Sequence, residues 1–138
     1  MLMDELRIKR YRDKINYIIE KVQNFSIEPK NELEKDGIFY SLQTSIESTI
    51  DLIAMLVKDI GIPVKDDPIN IDEIVKKRNL DPKLGEKLIK ANGMRNILVH
   101  RYNEIDEQII LNSVKDVKNV LMKWLDVIEV VLNEYSEH

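Results

Sequence analysis

The stretch from Glu107 to Tyr135, EQIILNSVKDVKNVLMKWLDVIEVVLNEY, decides the fold because its apolar residues recur at alternating spacings of four and three. The residues of this stripe are Ile110, Val114, Val117, Leu121, Trp124, Ile128, Val131 and Tyr135. An α-helix has about 3.6 residues per turn, so positions with these spacings share one face. A stripe of this length is typical of a helix in a bundle. The stretch therefore predicts one long helix that packs against several others.

The same periodicity predicts three further long helices towards the N-terminus. They run from residue 2 to about residue 25, from about Asn31 to Ile60, and from Pro82 to the vicinity of His100. The second of these has an apolar face so broad that it must pack on more than one partner. Its stripe consists of Phe39, Leu42, Ile46, Ile50, Ile53, Val57 and Ile60, widened by Leu52 and Leu56.

A short extra helix is predicted from Asn70 to about Arg78. Asn70 and Glu73 have the spacing of a capping box, in which a cap residue and a carboxylate satisfy the first backbone amides of a helix. No segment shows the alternation typical of a strand, and no internal repeat is present. The sequence therefore predicts an all-α fold, an antiparallel bundle of four main helices plus one short helix.

Composition restricts the class of protein. The chain has 138 residues, of which 43% are hydrophobic and 33% charged, so we expect one globular domain that spans residues 1–138. No apolar run approaches the ~20 residues that cross a bilayer, and the first residues do not resemble a secretory signal. The absence of cysteine excludes thiolate metal sites and fits a reducing compartment. We expect a cytoplasmic protein without a membrane segment.

Charge is distributed unevenly along the chain. The formal net charge is −4, but the window from Lys76 to Arg101 holds eight cations against two carboxylates, a net charge of +6. A local basic region can attract phosphate even when the whole molecule is acidic. A solvated lysine-rich helix face explains the same pattern, so the window alone does not establish nucleic-acid binding.

Candidate functional residues concentrate in Arg95-Asn96-Ile97-Leu98-Val99-His100-Arg101-Tyr102. This segment contains one of only two histidines, and the other is the last residue of the chain. On a helix, Asn96 and His100 share a face, whereas Arg95 and His100 lie about 140° apart around the axis. We therefore expect a site at the edge of a helix, at an interface between two subunits.

Metal-free cleavage of RNA is the chemistry that suits this set. A ribose 2′-hydroxyl attacks the neighbouring phosphate when a base removes its proton, and an imidazole titrates near neutrality. A planar guanidinium can stabilise the charge of the pentavalent phosphorane. This chemistry requires neither a metal nor a cofactor. An arginine and a histidine five residues apart also occur by chance, and His100 could instead serve as a structural cation at the end of its helix.

The pattern Arg95-x4-His100-x-Tyr102, preceded by Gly93-Met94, resembles the signature of HepT-type toxins in the HEPN superfamily. The resemblance extends to the predicted second helix, through Phe39-Tyr40-Ser41-Leu42-Gln43, Ile46-Glu47 and Asp51-Leu52. Helix order, chain length and the short extra helix also agree. The similarity thus covers nearly the whole chain. Arg101 departs from the family pattern, in which we expect an acidic residue at this position.

The resemblance implies the toxin of a type VII HepT/MntA toxin–antitoxin system. Such a toxin is a homodimeric, metal-independent endoribonuclease that acts on messenger or transfer RNA. Arg95 and His100 would be its catalytic pair, with Asn96 as a polar support. A minimal nucleotidyltransferase of the MntA type would be the antitoxin, and Tyr102 would be the residue to which it transfers AMP.

Two other interpretations remain open at this point. In one, the protein is a non-catalytic helical partner of a minimal nucleotidyltransferase, and Arg95 and His100 belong to the binding surface. In the other, the protein is a helical dimer in which the motif only caps and packs the fourth helix. A cleavage assay without added metal separates these alternatives from the ribonuclease.

Overall fold

The structure is a computed structural model that describes residues 2–25, 28–100 and 106–136. These residues form five helices and no strand: α1 (Glu5–Val22), α2 (Glu32–Asp59), α3 (Asp67–Lys77), α4 (Pro82–His100) and α5 (Glu107–Tyr135). The predicted all-α bundle of four main helices and one short helix is confirmed. No helix within the described ranges is both long and apolar enough to cross a membrane.

Helix α2 lies at the centre of the bundle, where it contacts α1, α3, α4 and α5. The predicted broad apolar face is buried on these four partners, as the width of the stripe requires. Its buried aliphatic and aromatic residues are Ile38, Phe39, Leu42, Ile46, Ile50, Leu52, Ile53, Leu56 and Val57.

Helix α5 buries the stripe that the sequence predicts. All of its members from Ile110 to Val131 are buried, and Tyr135 is partly exposed. The Trp124 indole is fully buried, and its Nε1 donates a hydrogen bond of 3.1 Å to the carbonyl oxygen of Leu84 in α4. Because a buried indole N–H needs an acceptor, this bond fixes the packing of α5 on the first turns of α4.

The structure corrects the predicted start of α3. Asp66, rather than Asn70, is the N-cap, and its carboxylate accepts a hydrogen bond of 3.0 Å from the Ile69 amide. Asn70 lies inside the helix and is buried, where its side chain bonds both backbone groups of Lys65 at 2.8 and 3.0 Å. The capping-box prediction failed because Asn70 and Glu73 have the right spacing, but an aspartate four residues earlier already caps the helix.

Helix α1 is also shorter than predicted. It begins at Glu5 because the Asp4 carboxylate accepts a hydrogen bond of 2.8 Å from the Arg7 amide, and it ends at Val22. Asp81 caps α4 in a similar way, accepting a bond of 3.0 Å from the Lys83 amide. These carboxylates satisfy amides that have no partner in the first turn of a helix.

Helices α2 and α4 run in opposite directions, which places the end of α4 beside the first half of α2. The Lys35 ammonium of α2 lies 3.0 Å from a carboxylate oxygen of Glu107, the first residue of α5. Arg95 of α4 contacts Glu47, further along α2, so the contacts move towards the N-terminus of α2 as the chain proceeds from α4 to α5. The C-terminal turns of α4 are therefore flanked by the N-terminal half of the central helix.

A polar cluster joins α1 to the end of α2. The Tyr11 hydroxyl and the Arg7 Nε both donate hydrogen bonds of 2.7 Å to Asp59 Oδ2. The Tyr11 side chain is completely buried, and burial together with the Asp59 carboxylate raises the pKa of its hydroxyl far above the ordinary value. The neutral phenol is therefore part of the fold rather than a titrating group of a site.

Replacement of Tyr11 by phenylalanine should destabilise the protein by about 1.5–3 kcal/mol, because a hydrogen bond to a charged acceptor is lost. The raised pKa means that the folded state holds the phenol proton more tightly. This contribution is complete below pH ~10 and is lost as the pH rises from the unfolded pKa towards the folded one. Urea denaturation at neutral and alkaline pH measures both effects.

Tyr17→Phe is the matched control, because the Tyr17 side chain is exposed. Equal unfolding free energies for Tyr11→Phe and Tyr17→Phe would show that the Asp59 cluster does not stabilise the packing of α1 on α2.

Candidate active site

The last two turns of α4 carry the residues that the sequence singles out. The helix extends to His100, so Arg95, Asn96 and His100 all project from regular helix. Five residues along a helix correspond to a rise of about 7.5 Å and a rotation of about 140° from Arg95 to His100. The observed length of α4 therefore places Arg95 and His100 on one continuous helix, and a site at the edge of this helix stays a prediction.

Arg95 points towards α2. Its side chain is only 23% exposed, and Nε lies 3.7 Å from Glu47 Oε1. Its Nη1 donates a hydrogen bond of 2.8 Å to Asn96 Oδ1. Within the described residues, the buried Nε has no hydrogen-bond partner, because the carboxylate of Glu47 is too distant for one. The guanidinium is thus held by an ion pair on one side and an amide on the other.

Asn96 and His100 are exposed at the end of α4. Asn96 is fixed by the bond from Arg95, so its amide oxygen orients the guanidinium rather than pointing freely into solvent. The structure does not bring Arg95 and His100 to the same face of α4. A phosphate that contacts both must bind across the edge of the helix or in a cleft that a second molecule completes.

Tyr102 lies outside the described residues, as does Arg101. The modification of Tyr102 and the expectation of an acidic residue at position 101 in the family therefore stay predictions.

Glu47 belongs to this site, although no role could be predicted for it from the sequence. It belongs to a stripe along α2 in which Tyr40, Thr44, Glu47 and Asp51 are spaced by four, three and four. Such spacing puts them on one face, the face on which the otherwise apolar helix is not buried. A polar stripe on an apolar helix signals a functional surface, but nothing in the sequence shows that Arg95 lies opposite.

The basic window is divided between paired and exposed cations. Arg78 forms an ion pair of 2.7 Å with Glu134, and this contact lowers the pKa of the carboxyl and raises that of the guanidinium. The lysines are exposed on α3 and α4. They are Lys76, Lys77, Lys83, Lys87 and Lys90. Of these, Lys83, Lys87 and Lys90 provide positive charge on α4, the helix that carries the candidate site.

No group of three or more histidine, aspartate and glutamate side chains that could hold a metal ion is present in the described part of the chain. The side chains at the end of α4 that can act on a substrate are Arg95, Asn96 and His100, with Glu47 behind Arg95. This set offers a cation for an oxyanion and an imidazole for proton transfer.

Comparison with known families identifies the class of protein. The sequence profile of a family described as HepT-like, "Ribonuclease HepT-like", matches residues 8–128. The chain belongs to the HepT-like ribonuclease family. A protein of Archaeoglobus fulgidus named "Putative RNase" is 44% identical over 129 residues, which cover 94% of this chain and 98% of the relative. A second protein of that organism with the same name is 36% identical over 73% of this chain and 77% of its own.

Solved structures show the same fold. A tri-AMPylated HEPN toxin of Shewanella oneidensis, in complex with its MNT antitoxin, superposes with a TM-score of 0.73 over 93% of this chain and 99% of that one, at 22% identity. A toxin–antitoxin complex with AMP-PNP gives a TM-score of 0.71 at 22% identity, over 91% of this chain and 99% of that one. The predicted HEPN-like bundle and the resemblance to HepT-type proteins are confirmed.

The contact between Glu47 and Arg95 should contribute little to the stability of this HepT-like protein. Both side chains are partly exposed, and the two atoms lie at 3.7 Å, so Glu47→Gln should change the free energy of unfolding by less than about 1 kcal/mol. Urea denaturation tests this expectation. Asp51→Asn is the matched control, because it removes an equal charge four residues further along α2. A loss of about 2 kcal/mol or more for Glu47→Gln alone would make Glu47 a structural residue.

Proposed function

We propose that this protein is the toxin of a HepT/MntA-type toxin–antitoxin system, a metal-independent endoribonuclease that uses Arg95 and His100. The observation that carries the proposal is the half-buried Arg95 guanidinium, oriented by Glu47 and Asn96, five residues before an exposed histidine in a ribonuclease family. Such an arginine has its charge ready to receive a phosphate before substrate arrives. The antitoxin is a minimal nucleotidyltransferase, and the protein acts in the cytoplasm on messenger or transfer RNA.

The proposed reaction is an internal transfer. His100 takes the proton of a ribose 2′-hydroxyl, whose oxygen attacks the adjacent phosphorus, while Arg95 stabilises the negative charge of the phosphorane. The bond to the 5′-oxygen then breaks, and this oxygen takes a proton from an imidazolium or from water. The products are a 2′,3′-cyclic phosphate and a 5′-hydroxyl, and DNA is not a substrate because it lacks the attacking hydroxyl.

The divergence of Arg95 and His100 on one helix supports a homodimer with a shared cleft. Because the two side chains lie about 140° apart, a single phosphate is reached more easily by Arg95 of one subunit and His100 of the other. A two-fold axis beside the end of α4 would create two such composite sites.

Substitution of Arg95 or His100 by alanine should lower RNA cleavage by at least about 100-fold, the usual contribution of a general base or an oxyanion donor. Circular dichroism should show an unchanged helix content for His100→Ala, because this side chain is exposed, and it checks the fold of Arg95→Ala, whose side chain is largely covered. The assay uses purified protein and single-stranded RNA in the presence of a chelator, and expression of the same variants should no longer inhibit growth. Lys90→Ala, an exposed lysine on α4, controls for general loss of charge.

Mixing the two inactive variants tests the shared cleft. If one subunit supplies Arg95 and its partner supplies His100, a mixed dimer of Arg95→Ala and His100→Ala contains one complete site. Random reassembly would then restore about a quarter of the wild-type rate.

Full activity of His100→Ala would remove His100 from the mechanism. Absence of cleavage by the wild-type protein would favour a non-catalytic partner of a nucleotidyltransferase.

We further propose that AMP transfer to Tyr102 switches off this activity. The structural neighbour from Shewanella oneidensis is an AMPylated toxin in complex with an MNT antitoxin, and Tyr102 follows His100 by two residues. The phenol oxygen attacks the α-phosphate of ATP and releases pyrophosphate. The new phosphodiester adds bulk and a negative charge where the substrate phosphate must bind.

Incubation with ATP and the nucleotidyltransferase encoded beside this protein should add the mass of one or more AMP groups and should abolish RNA cleavage. Tyr102→Phe should prevent both the modification at this residue and the loss of activity. Tyr135→Phe is the control tyrosine, and it should behave as the wild type. An AMP adduct that persists in full on the Tyr102→Phe protein would place the switch elsewhere.

A further inference from the structure

A pair of tyrosines and one lysine form a surface cluster between α1 and α2. The Lys21 ammonium lies 5.3 Å from the centre of the Tyr17 ring and 5.7 Å from the centre of the Tyr40 ring. Tyr40 is 56% exposed and Tyr17 is 37% exposed, which is unusual for large side chains with so much apolar area. The cation is therefore held over two aromatic rings that still face solvent.

An open depression of about 410 Å³ adjoins the Tyr40 ring. It is lined by Lys21, Asn24, Glu34, Gly37, Ile38, Tyr40 and Ser41. Gly37 lies three residues before Tyr40 on the same helix, and a Cβ built there would meet nothing within 4 Å. The missing side chain leaves the space beside the ring empty, so a flat group can approach it.

The position of Tyr40 along α2 connects this cluster to the candidate active site. Tyr40 precedes Glu47 by seven residues, which places the two on one face about 10.5 Å apart along the axis. Glu47 contacts Arg95, and α4 and α2 run in opposite directions. From Arg95 to His100, α4 therefore runs from the level of Glu47 towards the level of Tyr40. Tyr40 and His100 therefore lie at a similar level of the bundle.

One cation, Lys21, and one carboxylate, Glu34, line the depression beside the ring. Glu34 accepts a hydrogen bond of 2.9 Å from the Lys30 backbone amide, which orients the carboxylate without cancelling its charge. The nearest cation, Lys21, is half-buried and directed over the rings. An exposed aromatic ring beside a cation is the combination that holds bases of a single strand by stacking while the charge attracts the backbone.

We propose that Tyr40 is a base-stacking residue, which receives an unpaired base of single-stranded RNA about two nucleotides from the phosphate held by Arg95, while the Lys21 ammonium beside the ring attracts the phosphate of the stacked nucleotide. This inference rests on the proposed function of the same site and adds a subsite for the substrate. It gives the enzyme a preference for unpaired RNA, because a base inside a duplex cannot reach the ring.

The test is binding of a short single-stranded RNA that contains 2-aminopurine, whose fluorescence is quenched by stacking. The inactive His100→Ala protein is used, so the RNA stays intact. Tyr40→Ala in this background should weaken binding at least about fivefold and remove most of the quenching, whereas Tyr40→Phe should keep both. Leu33→Ala, an exposed apolar residue of the same helix, is the matched control and should have no effect.

In the active protein, Tyr40→Ala should raise KM for unpaired RNA by a similar factor and should abolish the preference over duplex RNA. Unchanged binding and quenching would overturn the inference even if the wild type cleaves RNA, and the proposed function would stand. Quenching that depends on Tyr40 in a protein without cleavage would support the subsite and overturn the nuclease. Loss of the dimer or of antitoxin binding in Tyr40→Ala, with RNA binding unchanged, would make this surface a protein interface instead.

Discussion

The burial of α2 against four other helices is the constraint on which the rest of the structure depends. Its apolar residues occupy most of its circumference, so α1, α3, α4 and α5 must surround it. The described residues hold no further helix that covers the remaining face. This face carries the stripe Tyr40, Thr44, Glu47 and Asp51, which lies between α1 and α4. The core thus determines where a polar surface can exist.

Arg95 acquires its properties from this arrangement. A guanidinium on an isolated helix would be solvated and free to move, but packing of α4 on α2 leaves the side chain only 23% exposed. Partial burial increases the cost of a charge without a partner, and Glu47 and Asn96 offset that cost without enclosing the group. The ion pair is loose at 3.7 Å, so a phosphate can compete with the carboxylate for the guanidinium. A tight bidentate pair in the same place would favour stability over binding.

Much of this structure can be predicted from periodicity, because burial of an apolar stripe dictates where a helix must pack. The seam of α5 from Ile110 to Val131 and the broad face of α2 from Phe39 to Val57 are confirmed, whereas the last member of each stripe, Tyr135 and Ile60, is only partly buried. The start of α3 was predicted wrongly, since local spacing cannot decide between two polar residues that could each cap a helix. The partner of Arg95 was not predicted either. Periodicity places Glu47 on a polar face, but only the crossing of α2 and α4 shows which residue lies opposite.

The positions of Arg95 and His100 explain why the proposed ribonuclease activity would depend on assembly. Glu47 and Asn96 orient Arg95 within one chain. His100 projects from the end of α4 in a different direction from Arg95. A site divided in this way, as proposed, would be incomplete until a second subunit or the substrate itself closes it. Control of such a site does not require a change of fold. A bulky anion attached near the end of α4 would block the phosphate position and oppose closure at once, and the core around α2 would be unaffected.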